Sequence, residues 1–367
     1  MKICFISAAK SIHIVRWANA MVKRGHEVTV ITCANDTDEN LSLYERSVRI
    51  FTLKYRAPLG YYLNARQLKK IVKRERFDVI NIHYASGYGT LGRRAKLKHA
   101  LLNIWGSDVY DFPYQSSFKM QLIRKNLQYY DFAASTSHCM ARQAEKLYAR
   151  DYEITPFGVD TELFRPLADC KPKDKIIFGI VKTLSPKYGI ADTIEAFVKL
   201  NKRLISEGNS QLSQTLFLEI YGKGELKEEL QTLIDGYGMH DKIKLCGYVD
   251  NHMLPRIYNR FTVSNSNSNS ESFGVAAVEA MACGIPVQVS DAEGFAEVVE
   301  DGVTGLIAPK GDVDKIAENM YRLLTDEPLR NRMGQSAVER VRQLYDWEKN
   351  VDTMEEIYRR MAERRFD

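Results

Sequence analysis

S-E-S-F-G-V-A-A-V-E-A-M-A-C-G, residues 270–284, sets two glutamates, Glu271 and Glu279, on either side of a glycine and the start of an alanine-rich run. From Val275 to Cys283 the residues are strong helix formers or small apolar groups without a breaker, and Gly284 with Pro286 ends the run. The stretch predicts a short buried helix. At its first turn, near Phe273, Gly274 and Val275, backbone N–H groups lack an intrahelical acceptor and the positive end of the helix dipole points outward. A glycine there lets an anion come close, so this is a seat for a phosphate. Eight residues of helix rise roughly 12 Å, too far for the carboxyl pair about 5 Å apart that a retaining glycosidase uses. The two glutamates therefore serve different parts of one long ligand: Glu271 the hydroxyls of a sugar, Glu279 those of a ribose, with a diphosphate between them. On an exposed helix two such glutamates would be solvated charges. In this apolar run their burial is costly without a ligand or a partner.

Outward from this stretch the chain alternates strand and helix patterns. K-I-I-F-G-I-V-K (175–182) reads as a strand, followed by a loop entering a helix (183–197) that carries Lys187. L-F-L-E-I-Y-G-K-G-E-L (216–226) is a strand running into Gly222 and Gly224, which permit close approach of a ring or ribose. K-I-K-L-C-G-Y-V (242–249) and I-P-V-Q-V-S (285–290) are further strands, and the polar run N-S-N-S-N-S (265–270) reads as a flexible or glycan-facing loop. Toward the N-terminus, 2–7, 12–24 and 26–32 form a strand-helix-strand unit of the doubly wound kind. F-D-V-I-N-I-H (77–83) is a strand leading into a glycine-rich turn (86–90), which puts His83 at a carboxyl end, where open parallel sheets present ligand-binding groups. A strand over 100–105, a helix over 118–127, a strand over 131–137 and a helix capped by Ser137 complete the half.

The two glutamates and their surroundings, E-S-F-G-V-A-A-V-E-A-M-A-C-G-I-P-V, resemble the E-x7-E signature of the family 4 retaining glycosyltransferases of the GT-B fold. Other stretches agree: R-G-H-E-V-T-V-I-T (24–32), the link G-V-D-T-E-L-F-R-P (158–166), T-L-S-P-K-Y-G-I (183–190) and D-G-V-T-G-L (301–306). The resemblance implies an α/β chain of two Rossmann-like doubly wound parallel-sheet domains facing a cleft. Residues 1–168 would bind the acceptor, with a C-terminal helix at about 347–367 folding back onto them, and 169–346 would bind the nucleotide sugar. It also implies that Lys182 and Lys187 neutralise the diphosphate, joining Glu271 as the catalytic set. Glu279, Phe273, Gly274, Val275, Gly222, Gly224, Tyr248 and Gly294 would line the donor, with Tyr248 near the base and backbone N–H groups at 294–297 bordering the sugar. His13, His83 and Asp108, the last in a G-x-D, would contact sugar or acceptor. The pattern departs from the family at S-A-A-K-S (7–11), where a glycine-rich loop is usual, and at Trp105, where histidine is common.

Composition bounds the rest. At 367 residues, with 45% hydrophobic and 27% charged residues, the chain suits two globular domains and has no apolar run of membrane-spanning length. Six cysteines without a C-x-x-C spacing point to free core thiols rather than disulfides or zinc, and a cytosolic location, with neither a metal nor a cofactor, is expected. Between residues 60 and 150 sixteen Lys or Arg stand against six Asp or Glu. The clusters 66–76 and 93–102 mix these with apolar residues at helical spacing, as a solvated helix face or a surface for an anionic membrane leaflet does. No nucleic-acid-binding motif accompanies them. The expected function is transfer of a sugar from a nucleotide-diphosphate sugar, a UDP-sugar, to a glycan or lipid-linked glycan in surface glycan synthesis. A GT-B epimerase and a non-catalytic nucleotide-sugar-binding subunit are the alternatives.

Overall fold

The computed structural model describes residues 1–37 and 40–364. It divides into two compact units, Met1–Phe157 with Glu348–Asp367, and Gly158–Trp347. The first crossing falls between Phe157 and Gly158, at the start of the link 158–166. Of the terminal helix expected over 347–367, residues Trp347–Glu363 are helical and 365–367 lie outside the described residues. Among the described residues no helix is long and apolar enough to cross a membrane.

In the first unit seven parallel strands, β1 (Lys2–Ile6), β2 (Glu27–Cys33), β3 (Arg49–Leu53), β4 (Val79–His83), β5 (Leu101–Ile104), β6 (Phe132–Ser135) and β7 (Glu153–Ile154), run in the order β3-β2-β1-β4-β5-β6-β7. The order reverses between β1 and β4, the place where doubly wound sheets bind ligands. β4 is buried throughout, as expected of a parallel strand covered on both faces. The terminal helix belongs to this unit: Tyr358 accepts a 2.6 Å hydrogen bond from Asn81 Nδ2, and Arg24 is paired with Glu348 and Asp352.

Two local expectations are corrected here. The glycines at 86–90 do not make a turn but open a helix, Gly87–Arg94. They are there for contact, since a Cβ on Gly87 would lie 2.4 Å from the Tyr61 ring. The helical spacing of 93–102 is not used: Lys96 takes φ 63° and the chain turns straight into β5. The cluster at 66–76 is helical (Ala65–Glu75), with Leu68 and Ile71 in the core and its basic residues in solvent.

In the second unit β8 (Ile176–Val181), β9 (Leu216–Tyr221), β10 (Ile243–Gly247), β11 (Val263–Ser266), β12 (Val287–Ser290) and β13 (Gly305–Ala308) form a parallel sheet ordered β10-β9-β8-β11-β12-β13. The first four residues of the polar run expected as a loop, 265–268, are instead part of this interior. β11 lies between β8 and β12, and Asn265, Asn267 and Ser268 are buried. Within the run Asn265 and Ser266 pair with β12, and Asn267 Nδ2 donates to Thr193 Oγ1 at 2.9 Å, while both amide atoms of Asn265 are buried without a hydrogen-bond partner. All six cysteines are free, four of them buried.

Candidate active site

The helix predicted from the opening stretch spans Val275–Ala282, and Gly274 precedes it at φ 96°, a left-handed conformation that a side chain resists. The ring of Phe295 lies against this glycine, where a Cβ would come within 2.8 Å of it. Ala277 and Val278 both donate their N–H to the Gly274 carbonyl. Ala277, Val278, Ala280, Met281 and Ala282 are buried, while Val275, Ala276 and Glu279 form the one partly exposed face. Small side chains let the helix pack against Glu327–Leu344, whose Gly334 has no room for a Cβ beside the Gly284 carbonyl.

Glu271, three residues before the capping glycine, forms an ion pair with Lys182 at the end of β8. Lys182 Nζ lies 2.6 Å from Glu271 Oε2, with about one sixth of either side chain exposed. The same ammonium lies 4.6 Å from the centre of the Tyr188 ring. Lys187 is exposed, and its backbone is held at the site by a 2.8 Å bond from Asn269 N–H to its carbonyl. Glu279 accepts a 2.9 Å hydrogen bond from the hydroxyl of buried Tyr258, and burial together with that carboxylate pushes the tyrosine pKa well up.

Three of the predicted glycines have close backbone neighbours. A Cβ on Gly222 would sit 1.8 Å from the Lys182 carbonyl, and one on Gly224 2.2 Å from that of Leu184. They admit the chain that carries Lys182. Gly294 donates its N–H to the Glu271 carbonyl at 3.0 Å, and Phe295 and Ala296 donate theirs to Ala292, so these amides are already committed. Gly294 sets the Glu271 loop instead of offering a free donor. Tyr248 is 58% exposed, with Lys223 Nζ 4.7 Å from its ring centre, and both border a cavity of about 200 Å³ that also takes in Lys182, Gly222 and Leu254.

In the first unit Asp108 is buried and accepts backbone N–H groups from Ala85, Trp105 and Gly106 at 2.8–3.2 Å. Burial raises its pKa, and those bonds work against the rise. It organises two loops and has no surface left for a sugar. His83 is likewise buried, with neither ring nitrogen hydrogen-bonded, which removes it from direct contact with an acceptor. His13 stacks on Phe157 at 4.0 Å, and Trp105 packs edge-on to both histidines. Burial lowers the His13 pKa to about 4 and that of His83 to about 3, so both rings are neutral.

Residues 168–340 match the family model "Glycosyl transferases group 1", and residues 2–137 match "Glycosyl transferase 4-like". The chain belongs to the family 4 glycosyltransferases. This glycosyltransferase is 25% identical to the N-acetyl-alpha-D-glucosaminyl L-malate synthase of Bacillus anthracis over 92% of its own length and 90% of that protein's. In fold it is similar to the sucrose-phosphate synthase of Thermosynechococcus elongatus (TM-score 0.82, 21% identity, 98% and 99% of the two chains covered). It is also similar to Anabaena HepE, solved in complex with UDP and glucose (TM-score 0.78, 17% identity, 97% and 99% covered). The two-sheet GT-B architecture follows.

Within the glycosyltransferase's second unit, direct contacts link Glu271, Lys182, Gly222 and Gly294, while Gly274 and Glu279 belong to the helix that Glu271 precedes. Sequence reasoning missed Tyr188 and Tyr258, which touch Lys182 and Glu279. Tyr188 lies within the quoted stretch 183–190 and Tyr258 in none; only the tertiary contacts single them out.

Proposed function

We propose that this glycosyltransferase moves a sugar from a UDP-sugar to a hydroxyl of a saccharide or lipid-linked saccharide, with retention of anomeric configuration and without a metal, in the assembly of a surface glycan. The observation that carries this is the Lys182–Glu271 pair beside a helix N-terminus capped by a left-handed glycine. Cations and a helix dipole end favour a diphosphate there. The UDP and glucose held by the HepE neighbour, and the N-acetylglucosaminyl malate synthase named for the Bacillus relative, support a donor of this class.

As the donor enters, its diphosphate competes with Glu271 for Lys182. The ammonium moves to the phosphate oxygens, and the released carboxylate accepts hydrogen bonds from the sugar hydroxyls. Lys187 and the first amides of the Val275–Ala282 helix take the remaining charge, Glu279, oriented by Tyr258, holds the ribose, and the base lies by Tyr248. The bond from the anomeric carbon to the phosphate oxygen breaks with its electron pair going to the diphosphate, the charge that these groups stabilise. The acceptor hydroxyl attacks from the same face and its proton passes to a departing phosphate oxygen. No carboxylate need act as a nucleophile.

Calorimetric titration with UDP, GDP and ADP, followed by proton NMR of slow donor hydrolysis with UDP-glucose and UDP-N-acetylglucosamine, tests this. Tightest binding of UDP and early appearance of the α anomer are expected. Failure of every UDP-sugar to bind would overturn the donor class, and early β anomer would overturn retention.

A further inference from the structure

The first unit holds a cavity of about 530 Å³ that the donor chemistry does not use, in the size range of ligand sites. Six aromatic rings line it: Tyr61, Tyr62, Tyr84, Tyr88, Phe112 and Phe118. Tyr61 meets Tyr88 edge-on at 5.2 Å, in the space left by the absent side chain of Gly87. The single carboxylate inside, Asp36, is already occupied. It accepts the Tyr88 hydroxyl at 2.7 Å and pairs with Lys10 at 3.1 Å. What remains open to a ligand is an apolar, ring-lined space.

The segments that border the cavity continue its character outward. Leu59 and Phe118 are 69% and 68% exposed, and Tyr62, Leu63 and Tyr114 are also in solvent. Of these, Phe118 and Tyr62 line the cavity itself, and exposed apolar side chains at a cavity mark an interaction site more than scattered ones do. Two cations stand among them: the Arg94 guanidinium 5.4 Å from the Tyr62 ring centre, and the Lys119 ammonium 5.0 Å from that of Phe112. Neither forms an ion pair among the described residues, although Lys119 is hydrogen-bonded to the Gln115 amide oxygen at 2.5 Å. An apolar interior with uncompensated positive charge at its opening is complementary to an anionic amphiphile.

We propose that this cavity binds the acceptor through its lipid part: an alkyl or isoprenoid chain enters among the six rings, and a phosphate linkage rests at the mouth by Arg94 and Lys119. This rests on the reading of the protein as a glycosyltransferase whose first unit serves the acceptor, and it makes that acceptor a lipid phosphate rather than a free saccharide. A chain buried among aromatic side chains gains up to about fourfold in affinity per methylene.

Inorganic phosphate, monobutyl phosphate and monooctyl phosphate, each titrated into the full-length protein below its aggregation limit, separate the contributions. Calorimetry and the emission of Trp105, whose ring is 5.3 Å from that of Tyr84, report binding. Monooctyl phosphate is expected to bind at least tenfold tighter than monobutyl phosphate, and inorganic phosphate far more weakly than either. Phe118→Glu, at a largely exposed position, should weaken the octyl ligand at least tenfold, and Arg94→Gln about fivefold. Ile205→Glu, an exposed apolar position in the other unit, should change nothing. Equal binding of the three phosphates, no binding of the octyl ligand, or indifference to Phe118→Glu overturns the proposal. UDP titrated in parallel keeps the two readings apart, because lost UDP binding condemns the donor site and leaves the cavity result standing.

Discussion

Lys182 at the end of β8 and Glu271 in the loop before the Val275–Ala282 helix form a 2.6 Å ion pair across eighty-nine residues of sequence. Two largely buried charges hold each other where an anionic ligand is proposed to arrive. On the proposed function the pair is a placeholder that yields the ammonium to the diphosphate.

Replacing Glu271 separates binding from chemistry. In Glu271→Ala, Lys182 has no competing carboxylate, so UDP should bind as tightly as in the parent protein or tighter. Transfer should fall at least 100-fold, about 2.7 kcal/mol of lost transition-state stabilisation. Calorimetry with UDP and a donor-turnover assay on one preparation decide it, and normal turnover would remove Glu271 from the site.

Charge and ribose contacts are separable with shortened nucleotides. Lys187→Ala should weaken UDP about tenfold and UMP much less, since its exposed ammonium is proposed to meet the second phosphate. Glu279→Ala should weaken UDP and UMP alike. Tyr258→Phe, which removes the hydroxyl that Glu279 accepts, should lower stability by about 1 kcal/mol and follow the Glu279 pattern more weakly. Competition binding of the two nucleotides to each variant reads this directly.

The neutral histidines make stability pH-dependent. His13 and His83 titrate near 4 and 3 in the folded chain against about 6.5 when unfolded, so the unfolded state binds more protons as pH falls. Their contribution is complete above about pH 6.5 and is lost progressively as pH drops through 6 and 5 toward those values. His83→Phe, which replaces a ring with two unpartnered nitrogens, should flatten this slope and leave the melting temperature at pH 7 equal or higher. Melting curves at pH 5 and 7 test the sign; a steeper slope in the variant would contradict it.

Glycine positions should affect activity without touching ligand. A Cβ on Gly294 would fall 2.5 Å from the Phe273 nitrogen and 2.8 Å from the Glu271 carbonyl oxygen. Gly294→Ala must then displace the Glu271 loop, and transfer should drop at least tenfold while UDP affinity changes little. Gly302→Ala, where a Cβ meets no atom within 4 Å but φ is 77°, should cost only the backbone strain of about 1 kcal/mol.

Much of this was legible beforehand because it is local. The Val275–Ala282 helix, its glycine ends, the apolar parallel strands and the free cysteines follow from periodicity, helix propensity and spacing. The start of the N-S-N-S-N-S run was misread because alternation of small polar residues carries no apolar face; Asn265 and Ser266 end β11, paired with β12, and 265–268 are buried. The glycines of 86–90, 222 and 224 were assigned to a turn and to ligand approach. Sequence shows that a Cβ is missing but not which neighbour occupies its space.

By itself, then, the sequence determined the alternation of strands and helices and the chemistry offered at 270–284, because short-range propensity and charge type are written residue by residue. The tertiary structure alone decided that Lys182 meets Glu271, that Asp108 and His83 are sealed in the core, and that six aromatic rings from separate segments enclose one cavity. Those facts depend on contacts between residues far apart in the chain, which packing creates and no local pattern encodes.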